Sequence, residues 1–218
     1  MQEDNIAIEV KDLKKEFKVS SSGKGILGKL QALFHRRHKV ITAVDAINFK
    51  IKRGEFVGYV GENGAGKSTT IKMLTGILVP TSGSAEVNGI VPYKNRKKNA
   101  AKIGVVFGQR TQLWWDLPVC ESFDLLRVIF RVSRFDFNRQ MEKLEKALGL
   151  KPLLEMPVRK LSLGQRMRCD LAASLIHNPP VLFLDEPTIG LDVLAKENIR
   201  NFLSEINREE GTTIILTT

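Results

Sequence analysis

Apolar residues recur along this chain in two rhythms, a period of two that predicts strands and a period near 3.6 that predicts helices. Alternation over Ile6 to Val10 and over Val44 to Ile51 predicts two strands. Phe56 to Val60, Ala85 to Val87 and Ile103 to Phe107 predict three more. Val181 to Leu184 is apolar without a break, the pattern of a strand covered on both faces, and Thr213 to Thr218 is rich in β-branched residues. Helical spacing runs over Ser68 to Ile77, Asn138 to Leu150, Ser162 to His177 and Val193 to Asn207. The second of these places Met141, Leu144, Ala147 and Leu148 on one face and ends at Gly149 and Pro152; the third stops before Asn178-Pro-Pro180. Pro80 to Gly83 reads as a turn. Strands alternating with helices predict an α/β fold with a mainly parallel sheet. One stretch interrupts the rhythm: Ser20 to Gly25 is a flexible linker by composition, and Ile26, Leu27, Leu30, Leu33 and Phe34 then share one face of a short amphipathic helix.

Three local patterns carry candidate chemistry. Gly61-Glu62-Asn63-Gly64-Ala65-Gly66-Lys67-Ser68 matches GxxxxGK[ST], and it lies between a predicted strand and a predicted helix, as that pattern requires. Its glycines let the backbone curl, so that the amides from Gly61 to Thr69 converge on oxyanions at a helix N-terminus. Lys67 would reach the β- and γ-phosphates, and Ser68 would hold Mg²⁺. The second pattern is Val181-Leu-Phe-Leu-Asp185-Glu186, a strand with two acids at its C-terminal end, where ligands of open α/β sheets sit. Adjacent residues of a strand point to opposite sides, so the two acids divide the work: Asp185 supports the metal and Glu186 polarises a water. The third is Leu161-Ser162-Leu163-Gly164-Gln165, a capping box by its chemistry and an anion-accepting helix start by the same geometry.

In this order the patterns resemble the ATP-binding subunit of ATP-binding cassette (ABC) transporters, over about Ile6 to the last residue. The similarity is closest to exporters of the ABC-2 type, on Arg110-Thr-Gln-Leu-Trp-Trp115, Leu161 to Gln165 and Thr188-Ile-Gly-Leu-Asp192. The resemblance implies a phosphate-loop NTPase (RecA-like) core over 56–110 and 166–218, with an inserted α-helical subdomain over 111–165. It also implies an N-terminal antiparallel β subdomain over 1–55 and 84–92, with residues 20–40 as a basic amphipathic insertion. By the same resemblance, Gln109 joins Ser68 and Asp185 at the metal and acts with Lys67 and Glu186 in catalysis. Phe17 stacks on adenine. Ser162, Leu163, Gly164 and Gln165 meet the ATP held by a second nucleotide-binding subunit, and Asp192 touches that partner across the seam. ATP and Mg²⁺ are the implied cofactors. An integral membrane permease is the implied second partner, placing the chain peripherally on the cytoplasmic face of the membrane. Two departures stand out. Leu163 replaces the glycine usual in the signature, and the family's histidine after the last strand has no counterpart before Thr218; His35, His38 and His177 lie elsewhere. The expectation is therefore a C-terminally truncated cassette that binds nucleotide better than it hydrolyses it.

Composition sharpens a few points. Hydrophobic residues at 43% and charged residues at 27% exclude a disordered chain. Cys120 and Cys169 are the two cysteines, with no spacing that suits a Cys/His metal site, and they fit a reducing compartment. The polar, acidic start is unlike a signal peptide, and the apolar runs fall far short of the ~20 residues a membrane span needs. The net charge of +10 is concentrated. Lys24, Lys29, Arg36, Arg37 and Lys39 form one stretch, and Lys94, Arg96, Lys97, Lys98 and Lys102 form another. Each reads either as solvated surface or as a patch for an anionic partner; for residues 24–39 the two readings are a helix packed on its own domain and one lying on an anionic membrane. No aromatics interleave for base stacking, so nucleic acid is not expected as a partner. The basic balance still leaves a second class open, a soluble ABC-type ATPase acting on nucleic acid or ribosomes. Trp114 and Trp115, just past Gln109, are either core or an interface anchor.

Overall fold

The computed structural model describes residues 5–20, 38–108 and 110–218. Gln109 and the expected amphipathic helix over Ile26 to Phe34 lie outside the described residues. Lys39, assigned to that insertion by the sequence, instead belongs to a strand.

Two sheets organise the chain. The first is antiparallel: β1 (Ile6–Ser20) and β2 (His38–Lys52) pair along their whole lengths, from Ile6 opposite Lys52 to Ser20 opposite His38. Both strands outrun the short alternating segments that predict them, because the hairpin continues through residues whose side chains face solvent on both sides. β3 (Phe56–Tyr59) leads through a loop to α1 (Lys67–Leu74), and β4 (Ser82–Val87) then returns to the free side of β1, giving the order β2-β1-β4. A short helix, α2 (Arg96–Ala100), carries part of the second basic stretch.

The second sheet is parallel, in the order β3-β7-β6-β5, with β5 (Ile103–Phe107), β6 (Val181–Asp185) and β7 (Thr213–Thr217). Between β5 and β6 come α3 (Val119–Ile129), α4 (Arg134–Leu148) and α5 (Leu163–Leu175), and α6 (Val193–Glu210) joins β6 to β7. β6 is buried along its whole length, as its unbroken apolar run demands. Its residues alternate between two cores. Leu182 and Leu184 pack with the helices α3 to α6, while Val181 and Phe183 pack with α1 and the antiparallel sheet. The sheet is thus the shared wall between a helical side and a β side.

Local chemistry sets the helix ends. Ser133 caps α4 by accepting from the Asp136 amide at 3.0 Å, and Gly149 closes that helix at φ +59°. Helix α4 therefore starts four residues before the predicted Asn138. Helix α3 lies within the helical subdomain that the resemblance implies, but the apolar period does not mark it: Val119, Phe123 and Leu126 face the core, whereas Leu125, Val128 and Ile129 are apolar and exposed, which blurs the helical period.

Candidate functional site

Between β3 and α1 the backbone turns through two left-handed glycines, Gly64 at φ +87° and Gly66 at φ +86°. Gly66 is required twice over. Its φ disfavours any side chain, and a Cβ there would lie 2.1 Å from the Ala43 carbonyl oxygen of β2. That close approach seats the loop on the antiparallel sheet. Glu62, Asn63 and Ala65 are exposed, and the Ala65 amide closes a turn onto the Glu62 carbonyl at 3.1 Å. Helix α1 has no acidic residue in its first turn, so the positive end of its dipole is uncompensated.

Lys67 is only 6% exposed, and its ammonium group folds back to donate to the carbonyls of Gly61, at 2.5 Å, and Glu62, at 3.1 Å. Both partners are neutral. One of the three ammonium donors and the full positive charge are left for an anion, which is what a buried cation requires. Ser68 extends from the next position to donate to Asp185 Oδ1 at 2.9 Å, spanning 117 residues of sequence. Thr217 donates to the same oxygen at 2.8 Å and accepts from the Glu186 amide at 3.0 Å. Ser68 and Asp185 thus present a hydroxyl and a carboxylate to one point. Among the described residues no group of three or more His, Cys, Asp or Glu could hold a metal alone. The pair nevertheless fits Mg²⁺, which takes hard oxygen ligands and keeps much of its shell as water and substrate phosphate.

Glu186 follows in a left-handed conformation, φ +53°, which costs a non-glycine residue about 1 kcal/mol or more. Its neighbour Gly108 passes so close that a Cβ would sit 2.2 Å from the Glu186 carbonyl oxygen. Ala43, Gly64, Gly66, Lys67, Ser68, Thr69 and Glu186 together line an open hollow of 150 Å³. Phe17 lies on β1 opposite Ile41, two residues from Ala43; the residue is 38% exposed, with the Lys15 ammonium 5.2 Å from its ring centroid.

Ser162 and Gln165 form the expected reciprocal cap at the start of α5, at 3.3 and 2.8 Å. The chain does not bring this motif to its own loop: among the described residues no hydrogen bond joins 162–165 to 61–69. Instead, Leu163 packs toward Gly190, where a Cβ would lie 2.9 Å from it, and Gly164 faces Leu191 and Ala195. Asp192 caps α6, accepting from the Ala195 amide at 2.8 Å. Trp114 and Trp115 are 39% and 51% exposed, so neither is a core residue. Ala43 and Thr217 escaped sequence reasoning because each is placed by pairing between distant strands and belongs to no local pattern.

A sequence profile described as ABC transporter matches residues 44–189. The ABC transporter ATP-binding protein NatA of Bacillus subtilis (strain 168) is 33% identical over 179 residues, covering 82% of this chain and 73% of that protein. The probable multidrug ABC transporter ATP-binding protein YbhF of Escherichia coli (strain K12) is 39% identical over 178 residues, 81% of this chain but 30% of that protein. Curated relatives carry names for import as well as export. Among solved structures, the dimeric post-hydrolysis state of the ATP-binding cassette MJ0796 bound to ADP and Pi superposes with a TM-score of 0.79 at 28% identity, over 97% of this chain and 87% of that one. The chain belongs to the ABC transporter family as an ATP-binding cassette with a RecA-like core, an antiparallel N-terminal sheet and a helical subdomain.

Proposed function

We propose that the chain binds ATP in the hollow between Gly64 and Glu186 and hydrolyses it as one half of a head-to-tail dimer. The observation that carries this reading is Lys67, a buried ammonium with only carbonyl partners at an uncompensated helix N-terminus. The amides of Gly61 to Thr69 cradle the phosphates, and Lys67 turns from the loop carbonyls to the β- and γ-phosphates. Ser68 and Asp185, with Gln109 as a further ligand, would hold Mg²⁺, which would supply positive charge to offset that of the transferring phosphoryl group. Glu186 lines the same hollow and accepts a proton from the attacking water. Phe17 receives the adenine.

Ser162, Leu163, Gly164 and Gln165 meet the ATP of a second cassette, an assignment supported by the exposure of Ser162 and by the dimeric state of the superposed cassette. Asp192, at the head of α6, lies at the same seam. The exposed Trp114 and Trp115 anchor a membrane permease, and the ABC-2 exporter type is the one their sequence context supports. In this reading residues 111–165 form the helical subdomain that faces the permease, and the basic charges of the 24–39 stretch attract an anionic membrane surface. Among the described residues no helix is long and apolar enough to cross a membrane. The deciding experiment is Lys67→Ala with Mg-ATP titrated calorimetrically. A loss of affinity of tenfold or more is expected, and an unchanged Kd would sink the proposal.

A further inference from the structure

Helix α5, which Ser162 opens, grips one stretch of chain with two side chains a helical turn apart. Asp170 is buried, and its Oδ1 accepts from the Thr111 hydroxyl at 2.8 Å and the Gln112 amide at 3.1 Å. The Gln112 side chain donates back to the Asp170 carbonyl at 3.0 Å. Thr111 Oγ1 also accepts from the amide of Leu113, which is anchored in the helical-side core. One turn earlier on the same helix, the Arg166 guanidinium lies 5.6 Å from the centroid of the Trp115 ring. Both contacts fall on residues 111–115, just past the end of β5, where Phe107 pairs with Asp185.

A carboxyl in this position is unfavourable in itself. Burial pushes its pKa up to about 6, against the pull of Thr111, Gln112 and Arg166. The side-chain bonds that offset this cost all go to a single segment, so what Asp170 contributes is the placement of that segment. We propose that Asp170 is a positioning residue that pins residues 111–115 to α5, so that the Ser162 motif and the two exposed tryptophans move as one body when nucleotide binds. The trigger rests on the nucleotide reading above; the pin does not.

Trp114 and Trp115 are the chain's only tryptophans, so fluorescence excited selectively at the red edge of indole absorption, where tyrosine hardly absorbs, reports on the pinned segment. The experiment is acrylamide quenching of the 218-residue chain with and without saturating Mg-ATP, comparing parent, Asp170→Leu, Thr111→Val and Thr111→Ser, with Mg-ATP affinity measured separately by calorimetry. Without nucleotide, the quenching constants of Asp170→Leu, which removes the acceptor at similar volume, and of Thr111→Val are expected to rise at least 1.5-fold, while Thr111→Ser, which keeps the hydroxyl, stays with the parent. Mg-ATP is expected to change quenching in the parent and in Thr111→Ser. That change should shrink at least threefold in the other two variants, with affinities within twofold of the parent. Thr111→Val leaves the carboxyl in place and decides the matter should Asp170→Leu fail to fold. Quenching equal to the parent in both disrupting variants overturns the pin. A parent that binds Mg-ATP without any tryptophan response overturns the joint movement. A parent that binds no Mg-ATP overturns the nucleotide reading instead, and the nucleotide-free comparison then tests the pin alone.

Discussion

His177 stacks flat on Phe130, ring centroids 3.9 Å apart, and its Nε2 donates to the Ile103 carbonyl at 3.0 Å. Its Nδ1 is buried without a partner. A second proton there would have no acceptor, and burial holds the imidazole pKa down to about 4. Asp170 is displaced the other way, to about 6. The signs oppose. Folded His177 binds fewer protons than unfolded His177 between pH 4 and 6.5, so its contribution to stability is present above pH 6.5 and lost as pH falls toward 4. Folded Asp170 binds more protons than the unfolded residue between pH 3.8 and 6, so its contribution is present below 3.8 and lost as pH rises to 6. The two largely cancel in the parent, and single substitutions uncover them. Between pH 7.5 and 4.5, urea unfolding should show Asp170→Asn losing about 2 kcal/mol relative to the parent and His177→Gln gaining about 2 kcal/mol relative to it. Parallel pH profiles for all three proteins would contradict both assignments.

At the scale of elements, β6 is the strand on which both cores depend. Phe183 sits at its centre, fully buried, opposite Val105 and Ile215 in the flanking strands. Phe183→Ala should cost about 3–5 kcal/mol in urea unfolding, through lost transfer energy and the cavity left behind. Phe135, 75% exposed on α4, is the control: Phe135→Ala should stay within about 0.5 kcal/mol of the parent. The contrast with α3 shows what a pattern can carry. β6 was legible because a strand covered on both faces must be apolar throughout. Helix α3 was not, because its exposed Leu125, Val128 and Ile129 erase the polar face that would have marked it.

At the scale of the whole molecule, the capped start of α5 and the phosphate loop are separate surfaces of one chain. Leu163 and Gly164 pack beside the start of α6, while Lys67 and Glu186 line their own hollow. A second copy turned head to tail would bring one chain's cap to the other's loop. Glu186→Gln removes the proposed proton acceptor while keeping the side chain's shape, so ATP should persist and hold the dimer. Light scattering should report a dimer for this variant with Mg-ATP and a monomer without it. A variant that stays monomeric at saturating nucleotide would contradict the sandwich.

Order along the chain determined what depends on neighbours in sequence: the glycine-rich turn into α1, the acid pair at the end of β6, the Ser162 box and the Gly149 stop are each set within a few residues by backbone freedom, strand geometry or capping. Pairing across long stretches of sequence decided the rest. Only the folded sheets bring the Ala43 carbonyl under Gly66, Thr217 between Asp185 and Glu186, and Asp170 onto Thr111 and Gln112. Those contacts have no period and no spacing, because each is fixed by which strands and helices lie side by side.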